Sequence, residues 1–180
     1  PVLCYNKDAF RQAGLDPDNP PETFDAVTEA ARTLVEQGGS RYGITFAVYS
    51  WFVEQWFATD GQEIVNKQNG RAGTPDEAFF NSEAAQRIYG WWTDLDQEGL
   101  YHNPGMEARG KAKNAFHDGT APMVIASSSS VGGITENADF EVGISGHPTP
   151  GRGEGLIVGG ASLWVSEGAS QAERDAAGEF

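Results

Sequence analysis

Residues Pro122–Ile134 read PMVIASSSSVGGI, an apolar run (Met123, Val124, Ile125) that passes directly into four serines and a glycine pair. A short apolar run closed by turn-forming residues reads as a buried strand. The helical segment expected from Ser128 to about Asn137 then starts where the strand stops. Its first backbone N–H groups have no partner inside the helix. Two readings of the serines follow. In one, Ser127 or Ser128 caps the helix and the remaining hydroxyls face water. In the other, the hydroxyls, the free N–H groups and the positive end of the helix hold a phosphate or a polyol without any lysine.

Outward from this junction, helices and strands alternate. Residues 2–6 (VLCYN) read as a strand, followed by a small helix that ends at Gly14. After the proline-rich loop LDPDNPPE, Thr23 caps a helix whose apolar face carries Phe24, Val27, Ala30, Ala31, Leu34 and Val35, with Gly38 as its stop. YGITFAV (42–48) is expected as a strand, and Ser50 opens an apolar helix, SWFVEQWFATDG. A turn is expected at Asn69-Gly70. The next helix starts at Asn81 or Ser82 and stops at Gly99. MEARGKAKNAFHDGT reads as a helix and turn that feed the strand before the serines. FEVGI and LIVGGASLWV are strand-like, separated by a Gly/Pro-rich loop, and SQAERDAAGEF begins a well-capped helix. This order, without internal repeats, predicts an α/β fold with a layered sheet.

Composition narrows the function. Hydrophobic residues make up 39% of the 180, enough to bury a core, while 12 basic face 26 acidic residues for a formal net charge of −14. Nucleic acid and anionic membrane surfaces both need clustered cations, so neither is an expected partner. The acidity suits a solvated surface. The lone Cys4 precludes an internal disulfide and, inside a strand-like run, reads as a buried thiol rather than a nucleophile. No apolar stretch approaches the ~20 residues of a membrane-spanning helix. The sequence opens in mid-strand and closes inside a helix, so residues 1–180 are expected to be a single fragment whose N-terminal and C-terminal neighbours are missing.

Enzyme signatures fail one by one. His102, His117 and His147 are scattered without metal-ligand spacing. Neither a Gly-x-Ser-x-Gly elbow nor a phosphate-binding P-loop is present. DLDQEG (94–99) imitates the start of a calcium loop, but Gly105 stands where its bidentate Glu is required. DPDNPP (16–21) places Pro21 where that loop needs Gly. No catalytic residue, metal site or cofactor is expected. Two further features bear on a ligand. Gly159-Gly160 marks either a bulge or a close approach to the backbone. Phe24, Trp51 and Trp56 are either core residues or flat faces for the C–H surface of a sugar or glycerol.

PVLCYNKDAFRQAGLDPDNPPETFDAV and AFHDGTAPMVIASSSS together resemble the extracellular solute-binding proteins (family 1) of ABC importers. KQNGRAGTPDEAFFNSEAAQ and VGGASLWV are similar to the glycerol-3-phosphate-binding branch of that family. The resemblance implies a periplasmic-binding-protein-like (type II) lobe, a layered α/β/α sandwich, and a chain that supplies mostly one lobe of a two-lobed clamp. It implies a monomer, periplasmic or extracellular, free or lipid-anchored, that captures glycerol-3-phosphate or a glycerophosphodiester and delivers it to ABC permease subunits. By the same resemblance Ser127 and Gly160 contact ligand and Phe24 lines the site, standing where the branch usually carries Trp. With the residue-level reading, the expected site comprises Ser127, Ser128, Gly159 and Gly160 as donors, with Phe24 and Trp51 against the carbon skeleton. Two rivals remain: an oligosaccharide-binding clamp, and a glycan- or phosphate-processing enzyme with its catalytic residues in the missing parts.

Overall fold

The computed structural model describes residues 1–151, 153, 155–160 and 164–179. Its central sheet has five strands: β1 (Val2–Asn6), β2 (Ile44–Thr45), β3 (Tyr101–His102), β4 (Met123–Ala126) and β5 (Val142–Ser145). Their order is β3-β2-β4-β1-β5. β1 runs antiparallel to β4 and β5, whereas β2 is parallel to β3 and β4. In register, Leu3 lies opposite Ile125 and Cys4 opposite Val124.

Period-two alternation then sorts side chains between two cores. Leu3, Tyr5, Met123 and Ile125 enter the larger one, while Cys4, Val124 and Ala126 enter the smaller. Helices α1 (Lys7–Gln12), α2 (Phe24–Glu36), α3 (Ser50–Thr59) and α5 (Glu83–Gln97) cover the first face. Helices α6 (Arg109–His117) and α7 (Val131–Glu136) cover the second. The architecture is the expected α/β/α sandwich. A one-turn α4 (Asn66–Asn69), an exposed α8 (Gln171–Glu179) and a 3-10 turn (Ser128–Ser130) are the remaining elements among the described residues.

Helix starts follow the caps read from the sequence. Thr23 Oγ1 accepts from Ala26 N at 3.2 Å, and Ser82 Oγ accepts from Ala85 N at 3.2 Å. Ser170 and Glu173 form a reciprocal capping box at the start of α8. α3 differs: it begins at Ser50, but Tyr49 occupies the cap position and no side chain closes it. The Asn69-Gly70 turn is present in an unusual form, with Lys67, Gln68 and Asn69 all left-handed before Gly70 at φ 82°. Asn69 Oδ1 offsets part of that cost by accepting from Ile64 N and Val65 N.

Two expected strands are corrected. YGITFAV contributes only Ile44–Thr45 to the sheet, the two residues that pair with both β3 and β4. Beyond them, the Phe46 carbonyl accepts from Tyr101 Oη at 2.6 Å instead of from a strand. LIVGGASLWV is not a strand over its described residues 156–160 and 164–165, and positions 161–163 lie outside the described residues. The backbone of Ile157 is satisfied by one side chain, that of Gln55, rather than by a ladder.

Candidate ligand site

The C-terminal end of β4 opens into a cavity of about 520 Å³. Its floor is the strand end, one wall is the N-terminal half of α6, and the other is the entry to α3 with residues 158–160. Ser127, Trp51, Gly159 and Gly160 all line it, although Trp51 and Gly160 are 109 positions apart in the sequence (160 − 51).

The capping reading of the serine run holds. Ser127 caps the 3-10 turn Ser128–Ser130, its Oγ accepting from Ser129 N at 3.3 Å and lying 2.9 Å from Ser129 Oγ. The same Ser127 faces the cavity, together with Ser129 and Ser130. Ser128 is exposed and does not line it. The hydroxyl that orders the turn therefore also presents the turn to solvent-filled space.

Gln55 fixes the glycine pair. It is fully buried, donates from Nε2 to Ile157 O at 3.2 Å, and accepts at Oε1 from Ile157 N at 2.9 Å. This two-bond clamp lays residues 158–160 along the mouth. A Cβ built on Gly159 would stand 3.8 Å from Trp51 Cζ2, so the backbone passes close to the indole with space for one methyl and little more. Gly160 has nothing within 4 Å of such a Cβ and faces open space.

Phe24 is not at this cavity. It is 5% exposed, stacks on Trp91 with ring centroids 3.9 Å apart at 5°, and meets Trp56 edge-on at 5.7 Å. The rim it touches belongs to a separate groove between α2 and α5. The physical reason is local: Thr23 caps α2, so the first apolar position of the helix turns inward onto α3 and α5. Four of the six expected residues thus share one cavity, with Ser128 beside it and Phe24 in the core.

The cavity also holds residues that the sequence reading did not select. Arg109 and Lys113, one helical turn apart on α6, both face it, and Arg109 Cζ lies 4.9 Å from the Tyr49 ring centroid. No Asp or Glu lines the cavity among the described residues. The signal for the cations was available, as Arg and Lys at i and i+4 share a helix face. For Gln55 there was none, because its partner lies 102 positions away.

Cys4 and His147, which do not line the cavity, are both held neutral by burial. Burial pushes the Cys4 thiol up to about 11, which keeps it protonated and inert. His147 is 5% exposed, stacks against Trp56 at 5.3 Å, and has neither ring nitrogen hydrogen-bonded among the described residues. Burial holds it down at about 3, so it is neutral at neutral pH. Among the described residues no group of three His, Cys, Asp or Glu side chains could hold a metal ion. Backbone and hydroxyl donors, two cations and an aromatic face can bind a solute through its polar end and its carbon skeleton.

The chain is similar to known proteins over its whole length. The bacterial extracellular solute-binding proteins match over residues 1–180. The sn-glycerol-3-phosphate-binding periplasmic protein UgpB of Pectobacterium atrosepticum is 33% identical over the whole chain, which covers 41% of that protein. UgpB of Escherichia coli K12 is 33% identical over 93% of the chain, covering 39% of that protein. The chain therefore spans about two fifths of the length of these curated relatives. The cyclic alpha-maltosyl-1,6-maltose binding protein of Arthrobacter globiformis superposes with a TM-score of 0.68 at 25% identity, over 85% of this chain and 38% of that one. UgpB of Mycobacterium tuberculosis in complex with glycerophosphocholine gives 0.65 at 24%, over 83% and 37%.

Proposed function

The chain belongs to the bacterial extracellular solute-binding proteins, and on that premise we propose that it forms most of one lobe of a two-lobed, substrate-binding component of an ABC importer. The protein captures sn-glycerol-3-phosphate or a glycerophosphodiester outside the cytoplasmic membrane and delivers it to a membrane permease. Its work is binding, without bond-making. The observation that carries the reading is the convergence of Trp51, Ser127, Gly159 and Gly160 on one cavity. Relatives 33% identical and named for glycerol-3-phosphate supply the ligand class.

Mechanistically, the turn after β4 supplies hydroxyl and N–H donors at short range, and the Trp51 ring supplies an apolar surface for the glycerol carbons. Closure of a second lobe over the open mouth completes the shell and excludes water. The lobe described here provides one wall of that clamp.

A second reading has an observation of its own. Tyr49 and Trp51 lie 6.2 Å apart beside the cavity, an aromatic pair suited to stacking a sugar ring. Isothermal titration of the full-length protein with sn-glycerol-3-phosphate and with maltose separates the two. Saturable binding of the phosphate ester supports the proposal, and saturable binding of maltose alone replaces it with an oligosaccharide importer.

A further inference from the structure

We infer that Arg109 and Lys113 form the phosphoryl subsite of this cavity, so that ligand lies with its phosphorus toward α6 and its carbon skeleton toward Trp51. The inference rests on the functional reading above and deepens it by naming the groups that recognise the anion.

Three observations converge. The first is orientation. Ala112, between the two cations, is 2% exposed and packs in the smaller core with Val124, which turns this face of α6 toward the cavity. Lys111, on the same helix, is exposed and does not line the cavity.

The second is charge compensation. In a chain of net charge −14, Lys7, Arg11, Arg32, Lys67 and Arg87 sit beside carboxylates, whereas Arg41, Arg71, Lys111 and Arg174 form no ion pair among the described residues but lie away from the cavity. Arg109 and Lys113 form no ion pair among the described residues. No carboxylate shares their cavity among those residues either.

The third is preorganisation. Tyr49 holds the Arg109 guanidinium against its face, which leaves the N–H edge free to fork onto two phosphate oxygens. Lys113, one turn on, adds a point charge to the same anion. The acidic surface does not cancel this. Distant exposed carboxylates are screened beyond ~8 Å at physiological salt, whereas contact charges are not.

The test is calorimetry on the full-length protein with sn-glycerol-3-phosphate, glycerophosphocholine and maltose, for wild type, Arg109→Gln, Lys113→Gln and the double variant, with Lys111→Gln as control. Each single change at the subsite should weaken the phosphate esters roughly tenfold and the double change roughly a hundredfold, as charge-assisted hydrogen bonds are lost. Wild-type affinity for both esters should fall with added salt, and this slope should flatten in the double variant. Lys111→Gln should change nothing. Wild type that binds the phosphate esters, together with a double variant of unchanged affinity and unchanged salt slope, overturns the subsite. Wild type that binds maltose and neither ester overturns the functional reading itself, a result visible before any variant is made.

Discussion

Two aromatic-lined depressions, the groove between α2 and α5 and the cavity at the end of β4, differ in what their charges are doing. In the groove between α2 and α5, Arg32 pairs with Glu98 at 2.6 Å, and Arg87 at its rim pairs with Asp60. The rings there, Phe24 and Trp91, are stacked on each other, and Trp91 Nε1 donates to Phe24 O at 3.1 Å. At the end of β4 the opposite holds. Trp51 is half-buried and lines a space of about 520 Å³, and two cations stand without carboxylates among the described residues. A depression whose rings stack on each other and whose arginines are paired is part of the fold. One whose donors and faces are left open is the place for the ligand proposed above.

That contrast can be broken most forcefully at Phe24. Phe24→Ala should cost about 3–5 kcal/mol of stability, through the cavity left against Trp91 and Trp56. Denaturant unfolding of the full-length protein measures the loss, while ligand affinity under native conditions should be unchanged. Trp51→Ala should do the reverse, lowering affinity about tenfold through the lost aromatic face while leaving the denaturation midpoint nearly in place. If Phe24→Ala instead abolishes binding in a folded protein, the assignment of the two depressions is reversed.

A pH effect of about 2 kcal/mol should come from His147. Its folded value of about 3 lies below the ordinary 6.5, so as pH falls the unfolded chain takes up the proton first. Stability is therefore fully present above pH ~6.5 and drains away as pH falls toward 3. Between pH 7 and 5 the paired carboxylates Asp18 and Glu141, held below their usual range by Lys7 and Arg11 respectively, remain ionised. His147→Phe should flatten the stability profile across that window, measured by urea titrations at successive pH values.

Gln55→Leu is expected to cost about 1–2 kcal/mol, since both backbone groups of Ile157 lose their partner. Its more telling readout is amide exchange, which should accelerate at Ile157 with a parallel fall in ligand affinity. The smallest effect is expected at Arg32→Gln. Its exposed pair with Glu98 should contribute less than about 1 kcal/mol, with no change in binding.

Much of this fold could be read from residues whose signal is local. Thr23, Ser82 and Ser170 announce helix starts because a cap needs only its own turn, and the buried run at β4 is bounded by its own serines. What failed was non-local. YGITFAV has a strand's composition, yet only Ile44 and Thr45 find partners, on β3 and β4, both more than 50 positions away. LIVGG has a strand's composition too, but Gln55 takes its hydrogen bonds from 102 positions away. The candidate site divides along the same line. Ser127 and Gly159-Gly160 stand out as punctuation in apolar runs, whereas Gln55 acquires its role only through the contact. Phe24 is instructive because an aromatic residue one step after a cap fits a site or a core equally well, and only the neighbouring Trp91 decides it.

The most direct measurement is an amide-resolved NMR titration of the full-length protein with sn-glycerol-3-phosphate. Shifts concentrated at Ser127–Ser130 and Gly159-Gly160, saturating with the calorimetric affinity, are the predicted result. Saturable binding whose shifts cluster at Phe24 and Trp91, with the serine run unmoved, would contradict the account.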